Sequence, residues 1–215
     1  MYINIMDQMI SVGRKLERYN LVSLSGGNLS VRTSDGNIIV TPSGKDYQNL
    51  SRDDLVIMSL DGKIIEGEKR PSVDTIALLY VYKNLPEVNA VIHTHQVYAT
   101  AIGLVQDRVP AITTFLVNAV MGDVAVAPYS SAASLDMGVQ AVKYLNGRRA
   151  VILKNHGVLT VGRTLKEALY AAVYLEDAAK CYFCSRMFGS PVELNEEQVD
   201  EAVKVFENYG QPADR

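Results

Sequence analysis

Three histidines are the residues of this chain whose type and spacing could do chemistry. His93 and His95 stand one residue apart at the end of the β-branched run Val91-Ile92, and His156 follows the apolar run 150–153. Positions i and i+2 of an extended strand point to the same face, so the His93 and His95 imidazoles are expected side by side. Three neutral imidazoles with an open position are typical of a catalytic zinc site, or of another borderline divalent ion. The alternative is three ordinary core histidines, each paired to a backbone carbonyl.

The elements that must position these histidines are short strands interleaved with helices. Asp-Gly turns predict two hairpins, one joining 29–32 to 38–41 and one joining 55–60 to 63–66. A further strand is predicted over 124–127. Helices are predicted over 4–19, 73–83, 97–104, 134–145, 165–187 and 195–208. This pattern predicts an α/β fold with a mostly buried sheet, in one domain covering residues 1–215.

The composition excludes several classes of function. The chain has 215 residues, a net charge of −3 and a calculated pI of about 5.6, so no basic surface for nucleic acid is expected. The N-terminus lacks the charge order and cleavage site of a signal peptide, and no stretch has the length of a transmembrane helix. A cytoplasmic protein that binds no membrane is therefore expected. Cys181 and Cys184 lie in a helical pattern and are interpreted as packing residues rather than as a redox or zinc pair.

Two glycine-containing loops and one carboxylate are further candidates. Gly26-Gly27-Asn28 and Thr41-Pro42-Ser43-Gly44 could be plain turns, or together with Lys45 they could hold a phosphate. Ser72 is predicted as the N-cap of the helix that follows, with Asp74 in its first turn. The Asp74 carboxylate could simply favour the helix dipole, or it could face the histidines as a metal ligand or acid/base group. The local sequence does not decide between these two interpretations.

Five segments in order resemble the class II aldolase/adducin family, and its fuculose-phosphate aldolase branch most. They are Ser25–Arg32, Thr41–Gly44, Pro71–Asp74, His93–His95 and Asn155–Gly157. The resemblance runs nearly end to end, as far as the terminal segment 206–210. It implies a three-layer αβα sandwich with a mixed central sheet. It also implies a homotetramer with its active sites between neighbouring subunits.

The resemblance assigns roles to individual residues of this chain. The metal ligands it implies are His93, His95 and His156. The residues it implies for the substrate phosphate are Gly27, Asn28, Ser43, Gly44 and Ser72. Asp74 falls at the position of the catalytic carboxylate, and Tyr209 matches a tyrosine that acts on the aldehyde half of the substrate. The expected cofactor is one Zn²⁺ per subunit, with Co²⁺ or Mn²⁺ as possible substitutes.

The chain also departs from the fuculose-phosphate aldolases. Asp74 replaces their glutamate, as in the related L-ribulose-5-phosphate 4-epimerases, and Thr114 stands in place of a tyrosine. Asp123 resembles an acid/base aspartate of the epimerases, and Val73 replaces a second phosphate-site serine. In contrast, the 60 residues between His95 and His156 match the shorter aldolase spacing.

The function implied is metal-dependent cleavage of a phosphorylated sugar. A (deoxy)ketose 1-phosphate, such as L-fuculose 1-phosphate, would give dihydroxyacetone phosphate and an aldehyde through a zinc-stabilised enediolate. In this mechanism Asp74 moves a proton at the enediolate carbon, and Tyr209 or Asp123 handles the proton on the aldehyde oxygen. One alternative is a retro-aldol epimerase that acts on L-ribulose 5-phosphate. Others are a sugar-phosphate dehydratase or decarboxylase and, more remotely, a non-enzymatic adducin-like interaction module.

Overall fold

A single mixed β-sheet lies at the centre of the computed structural model, which describes residues 2–207. Its strands are β1 (Asn28–Arg32), β2 (Ile38–Val40), β3 (Val56–Met58), β4 (Ile64–Glu66), β5 (Ala90–Thr94), β6 (Arg108–Val109), β7 (Val124–Ala127), β8 (Ala150–Leu153) and β9 (Gly157–Gly162). Their order across the sheet is β4-β3-β2-β1-β5-β9-β8-β7-β6. Neighbouring strands within the described residues are antiparallel, except that β7 and β8 run parallel.

Helices cover both faces of this sheet. They are α1 (Ile3–Arg18), α2 (Thr75–Asn84), α3 (Val97–Val105), α4 (Thr114–Val120), α5 (Leu135–Leu145), α6 (Leu165–Arg186) and α7 (Glu196–Glu207). Because side chains alternate along a strand, Ile38 and Val40 pack in the cluster formed with α2 and α5. Ile39, between them, packs on the opposite side with α1 and α6. The predicted three-layer αβα sandwich with a mixed sheet is confirmed.

Most of the predicted elements lie close to their predicted bounds, but one helix start was wrong. Both Asp-Gly hairpins form, and Thr164 is the N-cap of α6, where its side chain accepts a hydrogen bond from the backbone N–H of Glu167. Helix α2 begins at Thr75, so Asp74 and not Ser72 is the N-cap residue. The Ser72 hydroxyl instead accepts the backbone N–H of Asp74 at 3.3 Å, while the Asp74 carboxylate makes no cap hydrogen bond in its own helix.

The two cysteines do not pack as expected. Cys181 and Cys184 lie on α6, as the helical pattern predicts, but both are exposed free thiols. Their interpretation as packing residues is wrong for this chain, because they fall on the face of α6 that the sheet does not cover. None of the helices within residues 2–207 is long and apolar enough to cross a membrane.

Candidate active site

The three histidines converge at one end of the interior strands β5, β9 and β8, as the spacing of the first two and the strand-end position of the third predict. His93 lies in β5 opposite Leu159 of β9, and His95 follows the end of β5. His156 lies in the turn that joins β8 to β9. The Nε2 atoms of His93 and His95 are 3.1 Å apart, and the His156 ring centroid is 4.6 Å from that of His93. One nitrogen from each of the three rings fits within a span of 4.8 Å.

This arrangement fits a divalent metal ion. Two nitrogens bound at about 2.0–2.1 Å to one tetrahedral ion lie roughly 3.3 Å apart, close to the observed separation of the two Nε2 atoms. The Nδ1 atom of His93 is 2.9 Å from the carbonyl oxygen of Val158, so Nδ1 carries the proton and leaves the Nε2 lone pair available. The Nδ1 atom of His156 is buried and has no hydrogen-bond partner among the described residues. Three lone-pair donors can therefore meet at one point.

The environment keeps all three imidazoles neutral, which is the form that binds metal. Burial, together with repulsion from His156, lowers the pKa of His93 to about 4, although the nearby Asp74 charge acts in the opposite direction. Burial also lowers the pKa values of His95 and His156. Near neutral pH each ring therefore has one nitrogen without a proton, so an incoming cation does not have to displace one.

Two glycines allow the backbone to approach the histidines closely. A Cβ atom on Gly157 would meet the carbonyl oxygen of Thr94 well inside van der Waals distance, and it would lie 3.1 Å from Cδ2 of His95. Gly27 has a φ of +72°, and a Cβ atom there would collide with the carbonyl oxygen of His93. Larger residues at either position would push the strands that carry the metal ligands apart.

The Asp74 carboxylate faces the histidines. Its Oδ2 atom accepts a hydrogen bond from Nδ2 of Asn28 at 2.8 Å, and its Oδ1 atom accepts one from the backbone N–H of Ala133 at 3.0 Å. Oδ2 is also 3.9 Å from Nε2 of His93. Since each oxygen has a donor and the side chain is buried, the carboxylate has a fixed orientation. This geometry favours the interpretation in which Asp74 faces the histidines over the one in which it only stabilises the dipole of α2.

The residues proposed for phosphate binding lie on neighbouring segments. Pro42 and Pro71 form an isolated antiparallel bridge, in which Ser43 N–H donates to the Arg70 carbonyl and Ser72 N–H donates to the Thr41 carbonyl. These two amides are therefore not free to bind an anion. A phosphate there would depend on the hydroxyls of the two serines, the Gly44 turn at φ +71° and the Asn28 side chain.

The Thr41 side chain connects this pair of turns to β1. Its Oγ1 atom accepts the backbone N–H of Leu29 at 3.2 Å. Leu29 directly follows Asn28, which lies opposite His93 in the register of β1 and β5. Gly27, Asn28, Ser43 and Ser72 are thereby held near the histidine cluster.

One predicted catalytic residue, Asp123, does not join the histidine cluster of its own chain. Asp123 directly precedes β7, 3.4 Å from Nη2 of Arg148 and 3.9 Å from Nη1 of Arg108. Because β7 is parallel to β8, Asp123 lies at the opposite end of these strands from the turn with His156, about 13 Å away at 3.3 Å per residue. Tyr209 lies outside the described residues.

Sequence reasoning missed the backbone partners of the site. The Val158 carbonyl and the Ala133 amide position His93 and Asp74, but every residue type supplies these groups, so the sequence carries no signal for them. The Asn28 side chain was identified as a candidate for phosphate binding, whereas its contact with Asp74 links residues 46 positions apart and was not predicted.

Comparison with known proteins identifies the family of this chain. The family described as "Class II Aldolase and Adducin N-terminal domain" matches residues 7–183. A 5-deoxy-D-ribulose 1-phosphate aldolase of Bacillus thuringiensis is 32% identical over 206 residues, covering 95% of this chain and 96% of the relative. An L-fuculose phosphate aldolase of Escherichia coli K12 is 30% identical over 204 residues, covering 94% of each chain.

A solved structure shows the same fold. An L-fuculose 1-phosphate aldolase superimposes with a TM-score of 0.90 at 33% sequence identity, covering 95% of this chain and 96% of the other. The resemblance inferred from the five sequence segments is thus confirmed over nearly the whole chain. This chain belongs to the class II aldolase and adducin family and is an aldolase of the fuculose phosphate and deoxyribulose phosphate aldolase type.

Proposed function

We propose that this aldolase cleaves a deoxyketose 1-phosphate to dihydroxyacetone phosphate and a short aldehyde, with one divalent metal ion per subunit. The best candidate substrates are 5-deoxyribulose 1-phosphate and L-fuculose 1-phosphate, since aldolases for these sugars are similar to the chain along nearly its full length. Zinc is the first candidate ion, and cobalt or manganese could replace it, because three neutral imidazoles accept any of them. The observation that carries the proposal is the cluster of three neutral histidines with the Asp74 carboxylate beside it.

Separate groups of residues would hold the substrate phosphate and the metal ion. Asn28, Ser43, Gly44 and Ser72, with Gly27 allowing close approach, would hold the phosphate and so convert binding energy into orientation. A divalent ion on the histidines would supply a Lewis acid for the negative charge that develops on the substrate oxygens.

Protons must move at both ends of the bond that breaks. When the C3–C4 bond breaks, its electron pair remains with C3, and Asp74 would deliver the proton that C3 then takes up. The C4 hydroxyl loses its proton as the aldehyde forms, and Tyr209 or Asp123 would accept it. Since Asp123 is remote from the histidines of its own chain, we further propose a homotetramer in which a neighbouring subunit completes the aldehyde half of the site.

The test is release of dihydroxyacetone phosphate by the purified protein, with and without a chelator. The substrates would be a panel of ketose 1-phosphates, with L-ribulose 5-phosphate in parallel. Chelator-sensitive release that returns on adding Zn²⁺ would support the proposal, and the best substrate would name the sugar. Conversion of L-ribulose 5-phosphate to xylulose 5-phosphate, with no cleavage of any ketose 1-phosphate, would replace the aldolase with an epimerase.

A further inference from the structure

Glu176 is a buried carboxylate that the mechanism above does not use. It lies in the middle of α6 with 3% of its surface exposed. Its Oε1 atom accepts the backbone N–H of Tyr98 at 3.0 Å, and its Oε2 atom accepts that of Ala99 at 3.0 Å. Burying a charge is costly unless it is satisfied, so a carboxylate kept here indicates a specific task.

The two amides that Glu176 binds belong to the first turn of α3. First-turn N–H groups have no acceptor within their own helix, and the N-cap side chain usually supplies one. The N-cap residue of α3 is Gln96, whose side chain makes no cap hydrogen bond. Gln96 is instead fully buried, and its Nε2 atom donates to the carbonyl of Ala172 at 3.2 Å. Helix α6 therefore caps α3 from outside.

These contacts fix the chain directly after a metal ligand. Ala172 and Glu176 are four residues apart, so they lie on the same face of α6 and hold Gln96 and the first turn of α3 together. His95 immediately precedes Gln96. The rings of His93 and His95 are held differently. Nδ1 of His93 is hydrogen-bonded to the Val158 carbonyl, whereas Nδ1 of His95 makes no hydrogen bond within residues 2–207. The direction of the His95 ring therefore depends on its backbone, which is held by a hydrogen bond from its own N–H to the Leu21 carbonyl at 3.1 Å and, on the other side, by the fixed residues 96–99.

We propose that Glu176 is a positioning residue for the metal ligand His95, acting through the backbone of residues 96–99. The proposal rests on the metal site of the proposed function. The Glu176 carboxylate, bound to the first turn of α3, also interacts favourably with the dipole of that helix. Removing an outer partner of a metal ligand typically weakens metal binding by about 10–100-fold.

The test is metal affinity, measured on the full chain by competition with a chromophoric chelator for Zn²⁺ and Co²⁺. Glu176→Gln keeps the size of the side chain but leaves one amide without an acceptor, and we expect it to bind both ions about 10–100-fold more weakly. The visible absorption spectrum of bound Co²⁺ should change as well, since it reports ligand geometry. The matched control is Thr164→Ala, which removes the cap of α6 far from the histidines and should bind metal as the wild type does.

The possible outcomes separate this inference from the proposed function. Wild-type affinity and spectrum in Glu176→Gln would overturn the role of Glu176 alone. A wild-type protein that binds neither ion would overturn the metal site and this inference with it. If Glu176→Gln does not fold, hydrogen exchange of the wild type decides, because coupling between sites is reciprocal. Metal should then slow exchange of the Tyr98 and Ala99 amides, and unchanged exchange there would refute the proposal.

Discussion

Removing the metal should make the stability of this protein depend on pH between 4 and 6.5. His93 is fully buried, and burial lowers its pKa from 6.5 to about 4 in the folded chain. Between these two values the unfolded chain binds a proton at His93 and the folded chain does not. Stability therefore rises with pH across this window, and the penalty is absent above pH 6.5.

The magnitude follows from the two pKa values. At pH 5 protonation of His93 favours the unfolded state by about 2 kcal/mol, and at pH 4 by about 3 kcal/mol. The pKa values of His95 and His156 are lowered in the same direction and add to the effect. For a domain of this size, about 2 kcal/mol corresponds to a fall in Tm of roughly 4–8 °C.

The assay is urea unfolding of chelator-treated protein at pH 7, 6 and 5, at one fixed protein concentration. The comparison is His93→Gln, which cannot titrate but can still donate a hydrogen bond to the Val158 carbonyl. We expect the wild type to lose about 2 kcal/mol more than this variant between pH 7 and pH 5. Equal losses in the two proteins would show that the buried histidine is not neutral in the folded state, and the electrostatic account of the site would be wrong.

Three substitutions test other parts of the site. His95→Ala should lose both bound metal and activity, as measured by metal content and product release, and full activity in a metal-free preparation would contradict the site. Asp74→Asn should keep the metal but lower turnover by about 10²–10⁴-fold, the usual contribution of a general acid/base group; bound metal with an unchanged rate would remove Asp74 from the mechanism. Gly157→Ala should lower the free energy of unfolding by about 1–3 kcal/mol and weaken metal binding, because its methyl group meets the Thr94 carbonyl. Gly189→Ala is its control, since a Cβ atom there meets nothing within 4 Å, and equal effects of the two changes in urea unfolding would rule out the close-approach argument.

The parts of the fold that the sequence predicted are those set by local chemistry. The period of two in a strand places His93 beside His95, and Asp-Gly turns set both hairpins. The Thr164 hydroxyl marks the start of α6 because it caps a free N–H within three residues. In each case the residues that decide the structure are neighbours in the sequence.

The parts that were missed depend on contacts between distant segments. The sequence around Ser72 fits an N-cap. However, residue 71 pairs with residue 42 in an antiparallel bridge, so the chain is still extended there and α2 begins only at Thr75. Glu176 sits in a helical pattern where a glutamate is normally solvated, and only the packing of α3 against α6 shows that it is buried. No local pattern distinguishes such a residue from a surface glutamate.

The register between β1 and β5 links the metal ligands to the carboxylate. Asn28 lies opposite His93, and its side chain donates to Asp74, so the same strand pairing that places a ligand also orients the proposed acid/base group. A slip of one residue would turn Asn28 to the other face of the sheet and remove the donor from Oδ2 of Asp74. Gly27 makes this register possible, because any Cβ atom there would collide with the carbonyl of His93. The glycine-asparagine pair therefore has a structural reason to be present that is independent of any bound phosphate.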